Sequence, residues 1–197
     1  MKGYIYISGG GADPAHHDNL NDPLFKGTPT LGACMPNIRR LVAAGDYVFV
    51  ISGKTVGVQQ YVVGGFKVVE KISALAAYDR FPENRLRKDE NGIKRGNIIV
   101  TEDGEQSPID THDSDTFDQR IENYLVGVDP VVLEEPNEVA YGRDQTLEKL
   151  SSILGRPRGN RVIDVMGRWA RMDENQVKEM LTWLNGTKGR EEHVEDR

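Results

Sequence analysis

The residue types able to do chemistry are dispersed along the chain. Ser8-Gly9-Gly10-Gly11 sets three glycines in a row. Their N–H groups can point one way as an anion-binding nest, or the run can simply let the chain leave a strand. The pattern is not the Gly-x-Gly-x-x-Gly of a dinucleotide fold. His16, His17 and Asp18 are metal-ligand types, but adjacent side chains rarely converge on one ion, and no ligand spacing accompanies them. Asp110-Thr111-His112-Asp113-Ser114-Asp115 looks like a calcium loop without its glycine and closing glutamate. It reads as a solvated acidic loop or a helix N-cap. Cys34 has no evident catalytic partner and reads as a small buried residue. Arg80, Arg85, Arg87, Lys88, Lys94 and Arg95 make 79–95 either a solvated loop or a phosphate-contacting flap. Nucleophile-elbow, P-loop and zinc-deaminase motifs are absent, so no catalytic constellation is visible.

The elements that must position these residues centre on 32–71. A helix is predicted over 36–43, with Ile38, Leu41 and Val42 at i, i+3 and i+4, and with Arg39 and Arg40 facing elsewhere. Gly45-Asp46 stops it. Residues 47–51 are an apolar β-rich run, and 61–69 a second one, in which Gly64-Gly65 marks a bulge or a close backbone approach. Ahead of this hairpin, 4–8 reads as a strand. The long polar loop 13–29 is tacked down by Leu20, Leu24 and Phe25.

After the hairpin, 72–78 is a helical turn or a bent strand, and 97–101 a short strand before an Asp103-Gly104 turn. Residues 124–126 and 131–133 are further β-rich pieces. A helix capped by Asp144 or Thr146 carries Leu147, Leu150 and Leu154, and 160–165 reads as the last strand. Residues 173–184 form the clearest helix, with Asp173 as cap, Gln176 in the capping-box position and Val177, Met180, Leu181 and Leu184 on one face. The tail from Asn185 is charged and expected to fray.

The chain has 197 residues and a net charge of −6. That length buries a core without staples, and one cysteine excludes an internal disulfide, as in a reducing compartment. No apolar run is long enough to span a membrane. The sequence enters a strand directly, without a signal peptide, so the cytoplasm is expected. The acidic balance argues against coating nucleic acid. The charge is uneven, however: 26–71 holds six basic and two acidic residues, and 102–118 seven acidic and no Lys or Arg.

The order of motifs resembles the PUA-like superfamily, and its EVE branch above all, with ASCH and YTH domains as relatives. Its carriers are Tyr4-Ile5-Tyr6-Ile7-Ser8, the run Gly32-Ala33-Cys34-Met35-Pro36-Asn37-Ile38-Arg39-Arg40, Gly45-Asp46-Tyr47-Val48 and Val62-Val63-Gly64-Gly65-Phe66-Lys67-Val68. Pro130-Val131-Val132-Leu133, the Leu-rich 147–154, Arg161-Val162-Ile163-Asp164 and 173–184 continue it. The chain also resembles the nucleotide-modification-associated domain families of phages and bacteria. The resemblance implies an α+β fold, a partly closed mixed β-barrel of five or six strands flanked by helices. It implies one domain over 1–185, with inserted loops at 9–31 and 79–118 and a charged tail at 186–197.

The expected function is recognition of a modified nucleobase or nucleotide, with flipping if the target is in a duplex. The resemblance sets the pocket between the first strand, the 32–40 segment and the Gly-Asp strand. Tyr6, Ser8, Gly32, Asn37, Ser52 and Tyr61 would bind the base, with Tyr47 a further wall candidate. Arg39, Arg40 and Arg85 would hold phosphate. Asn37 offers a donor and an acceptor to one base edge, or else caps its helix. No cofactor and no metal are expected, and the partner is a modified base, nucleotide or short nucleic acid. An enzyme or accessory protein of base modification is the rival, with His16, His17, Asp18 and 9–11 carrying chemistry. A pure interaction module is a third reading.

Overall fold

The computed structural model describes residues 1–17 and 19–189. In chain order the elements begin with β1 (Gly3–Ile7), α1 (Pro14–His17), β2 (Thr30–Leu31), α2 (Pro36–Leu41), β3 (Tyr47–Ile51), β4 (Val62–Ile72) and α3 (Ala74–Arg80). They continue with β5 (Arg87–Lys88), β6 (Lys94–Arg95), α4 (Phe117–Ile121), β7 (Tyr124–Val132), α5 (Pro136–Leu154), α6 (Val162–Met166), β8 (Trp169–Met172) and α7 (Glu174–Thr187). Six strands form a mixed sheet in the order β2-β7-β4-β3-β1-β8, and β5 pairs with β6 in a separate ribbon. The α+β class is as expected. The order has two ends, so the described strands form no closed barrel. Among the described residues no helix is long and apolar enough to cross a membrane.

The chain divides into two compact units. The first comprises Met1–Asp18, Tyr47–Gly65 and Val131–Arg197; the second comprises Asn19–Asp46 and Phe66–Pro130.

In the first unit β1 runs parallel to β3, with Ile5 opposite Phe49, and antiparallel to β8, with Ile5 opposite Ala170. All five residues of β1 are buried, which explains a strand that reads as an apolar run without alternation. Gly64 and Gly65 mark close approach, not a bulge: a Cβ on the first would strike the Val131 carbonyl, and one on the second the Phe49 ring. α7 forms as expected, with reciprocal Asp173 and Gln176 caps and Val177, Met180 and Leu184 buried. Two expectations are corrected here. α5 begins at Pro136, well before Asp144, because Pro fits the first helical position and Glu135 and Glu138 close a capping box. The expected strand at 160–165 is helix α6: Asp164 accepts the Arg161 amide at 3.1 Å, and Val162, Val165 and Met166 bury one helical face. The strand comes later, in β8, where exposed and buried residues alternate.

The second unit has a core of Ala74, Ala77, Phe81, Ile98, Val100, Tyr124 and Val126, with Ile72, Tyr78, Phe117 and Ile121 against it. Ser73 caps α3 by accepting the Ala76 amide at 3.1 Å. The expected strand at 97–101 makes only isolated bridges, Arg85 with Ile98 and Val100 with Gln106. The turn at Asp103-Gly104 is present, closed by Thr101 N–H donating to the Glu105 carbonyl at 2.8 Å, with Gly104 at φ 83°. Asp113 acts as a cap, accepting the Asp115 amide at 3.0 Å. Phe25 meets Phe66 edge-on at 6.3 Å between centroids, which ties the long loop down. Residues 190–197 of the expected tail lie outside the described residues.

Candidate functional site

In the second unit the chain from Gly32 to Cys34 is gripped along both edges. Asp22 is buried, and its carboxylate accepts the amides of Gly32 (2.8 Å), Ala33 (2.8 Å) and Cys34 (2.5 Å). Asn97 Nδ2 donates to the same carboxylate at 3.0 Å and to Thr30 Oγ1 at 3.1 Å. Tyr124 Oη donates to Asn97 Oδ1 at 2.8 Å, and Asn84 Nδ2 donates to Tyr124 Oη at 3.3 Å. Burial pushes the Asp22 carboxyl up, against the pull of the Cys34 and Gly32 amides, Arg39 and Asn97. Burial also pushes the Tyr124 phenol up to about 12, so it stays a donor. A polar cluster taken out of water holds only when its members are matched in this way. Gly32 must lack a side chain, because a Cβ there would lie 2.8 Å from Tyr124 Cε2 and strike the Asn97 carbonyl.

Arg39 grips the other edge. Its Nε donates to the Cys34 carbonyl at 2.8 Å, and its Nη2 to the carbonyls of Arg120 (2.8 Å) and Ala33 (3.3 Å). Its Nη1 donates to the carbonyls of Glu122 and Asn123. Arg120 Nη1 adds a second bond to the Ala33 carbonyl at 3.1 Å. Arg39 is 0% exposed, which corrects its expected place facing phosphate. The physical reason is a supply of backbone acceptors that no short apolar side chain could satisfy. Leu41, expected on the buried face of α2, is instead 48% exposed. Asn37 and Arg40 are exposed on α2, and Met35 before it is left-handed at φ 52°. Cys34 is half-buried, and burial with the nearby Asp22 carboxylate pushes its thiol up.

The same unit holds an open cleft of about 710 Å³, lined by Tyr78, Arg85, Leu86, Val100, the Thr101–Glu105 turn and Ser107. The Arg85 guanidinium carbon sits 3.8 Å from the Tyr78 ring centroid, and its Nε donates to the Tyr78 carbonyl at 3.0 Å. The two groups thus form a cation–π pair, held in place by the bond to the backbone. Of the expected phosphate contacts, Arg85 alone lines this cleft. Tyr78 and the acidic turn were missed as site residues. Their signals were an aromatic one helical turn before a basic run, and a hairpin turn rich in carboxylates.

The remaining expected residues lie in the first unit. Tyr6 and Tyr61 are each 1% exposed, and Ser8 and Ser52 are buried. Ser52 Oγ accepts the Tyr61 amide at 3.1 Å. Arg143 lies over the Tyr61 ring at 4.7 Å and holds the buried Asp13 through two bonds of 2.9 Å. Tyr47 stacks on Phe49 at 6.0 Å. His16 and His17 are exposed on α1, with ring centroids 4.2 Å apart, and Asp18 lies outside the described residues. Among the described residues no group of three or more His, Cys, Asp or Glu is placed to hold a metal ion.

Comparison with known families adds one match. A model of the family described as nucleotide modification associated domain 2 matches residues 16–126, more than half of the chain. No curated protein and no solved structure matches. The matched stretch contains the Asp22 network, Arg39 with the acceptors named above, and every residue of the cleft.

Proposed function

The chain belongs to the nucleotide modification associated domain 2 family, and from that premise we propose that it recognises a modified nucleobase or nucleotide, acting as a reader rather than a catalyst. One observation carries this reading: the Arg85–Tyr78 pair lining an open cleft, inside the matched stretch. An unstacked base finds there a planar cation on an aromatic ring, the surface on which proteins stack single bases. Such stacking contributes about 1–3 kcal/mol per base. The cleft suits the base end of a nucleotide. Glu102, Asp103 and Glu105 line it with Arg85, so an anionic phosphate is repelled and stays at the mouth. Arg85 then serves as a stacking group in place of its first expected role on phosphate. In this reading the exposed Asn37 and Arg40 of α2 meet the flanking backbone. The Asp22 network and Arg39 keep the 32–37 segment rigid, so that little ordering cost falls on binding. The PUA-like reading of the fold, carried by the order of sequence motifs, accords with this role.

The test is a thermal-shift and calorimetric screen of the full chain against modified and unmodified nucleosides and nucleotides. A ligand at about 100 times its Kd adds roughly 2.7 kcal/mol of stability. Binding of one modified base over its parent, lost in Tyr78→Ala and Arg85→Ala, is the expected result. Turnover of the bound molecule would favour an enzyme instead.

A further inference from the structure

We propose that the cleft selects a base presenting an exocyclic amino group, and rejects the matching base with a carbonyl at that position. The inference rests on the base-reading role given above and adds the chemical class of the base. Its starting point is the cleft's lining, which holds one cation and three carboxylates. The cation is already held: the Arg85 guanidinium carbon lies over the Tyr78 ring, with Nε bound to the Tyr78 carbonyl. The edge of a base stacked on this pair must then meet the wall beside it.

That wall is the turn from Thr101 to Glu105, fixed by Thr101 N–H donating to the Glu105 carbonyl at 2.8 Å and by Glu105 N–H donating to Thr101 Oγ1 at 3.2 Å. Among the described residues, the side chains of Glu102, Asp103 and Glu105 make no hydrogen bond and no ion pair. A carboxylate offers only acceptors. A base edge with an amino group, such as N4 of a cytosine-type base or N6 of an adenine-type base, supplies the donors they need. The corresponding carbonyl oxygen would face a like-signed partner, a mismatch costlier than a missing bond. Val100 and Leu86 add apolar lining beside the carboxylates.

Calorimetric titration of the full chain with pairs that exchange an amino group for a carbonyl, and with it the protonation of the adjacent ring nitrogen, tests the idea: 5-methylcytidine against 5-methyluridine, and adenosine against inosine. The expected result is at least a tenfold preference for the amino member of a pair, which a single well-made base-edge contact suffices to give. The triple variant Glu102→Gln, Asp103→Asn and Glu105→Gln should lose that preference yet still bind. All three residues are exposed, and far-UV circular dichroism checks that the variant folds. Equal binding of both members, or preference for the carbonyl member, overturns the inference while leaving the base-reading role intact. Binding that survives Tyr78→Ala and Arg85→Ala puts the site outside the cleft and also overturns it. No binding of any nucleoside or nucleotide to the unmodified chain defeats the base-reading role itself.

Discussion

Asp22 Oδ1 accepts the backbone N–H of Gly32 at 2.8 Å across ten residues of loop. That contact, repeated on Ala33 and Cys34, turns a polar loop into a fixed support. Replacing Asp22 with Ala leaves three amides and the Asn97 side chain without their acceptor. The expected loss is about 3 kcal/mol or more, read as a fall of roughly 6–12 °C in Tm. Asp22→Asn keeps one acceptor oxygen but turns an NH₂ toward amide donors, so it should recover only part of the loss. A Tm unchanged in Asp22→Ala would remove the network from any structural role.

Arg39 and Arg40 are neighbours in sequence with opposite fates. Arg39→Met strands buried carbonyls and should cost about 3 kcal/mol in a urea titration. Arg40→Ala, at an exposed position, should change stability by no more than about 0.5 kcal/mol. If Arg40 meets phosphate, its removal lowers the salt slope of single-stranded oligonucleotide binding by about 0.7. An unchanged slope would take Arg40 out of the binding surface.

Glu138 is buried and accepts the amides of Gly189 (2.9 Å), Glu134 (3.0 Å) and Glu135 (3.3 Å), with Lys188 Nζ 3.8 Å away. Burial alone would raise its carboxyl, but these amides and Lys188 outweigh burial and hold it below the usual glutamate value of 4.5. A lowered folded value means that the unfolded chain binds more protons as pH falls past 4.5. The stabilisation is therefore complete above that pH and lost as pH falls through the folded value. Denaturation of the wild type and of Glu138→Gln should differ by a constant amount above about pH 5.5 and converge in acid. A gap that widens in acid would contradict this assignment.

Cys34 should react slowly. Burial and the Asp22 carboxylate both raise its thiol, and the thiolate is the reacting species. Iodoacetamide at pH 8 should label the folded chain at least about tenfold more slowly than the urea-unfolded chain, followed by intact mass. Equal rates would show that the thiol is open.

The sequence made the periodic elements legible. Residues 47–51 and 173–184 announced a buried strand and a capped helix through local pattern alone, and both formed. Residues 160–165 misled, because a β-rich composition outweighed the helical spacing of Val162, Val165 and Met166 and the capping Asp164. Within the candidate site, Arg85 was singled out by its place in a basic run. Tyr78, its cation–π partner, could not be, since only the fold brings the Arg85 guanidinium carbon to 3.8 Å from the Tyr78 ring centroid. Arg39 looked like a solvent-facing base because sequence does not reveal where unpaired carbonyls gather.

What the sequence determined by itself was the α+β class, most helix and strand positions and the kinship of 16–126, since these rest on local periodicity and motif order. The tertiary structure decided which polar residues are buried and matched. Asp22 with Gly32, Asn97 with Tyr124, and Arg39 with carbonyls 81 to 84 residues away are long-range pairs. Their stability comes from desolvation, which depends on everything packed around them and leaves no mark on the local pattern.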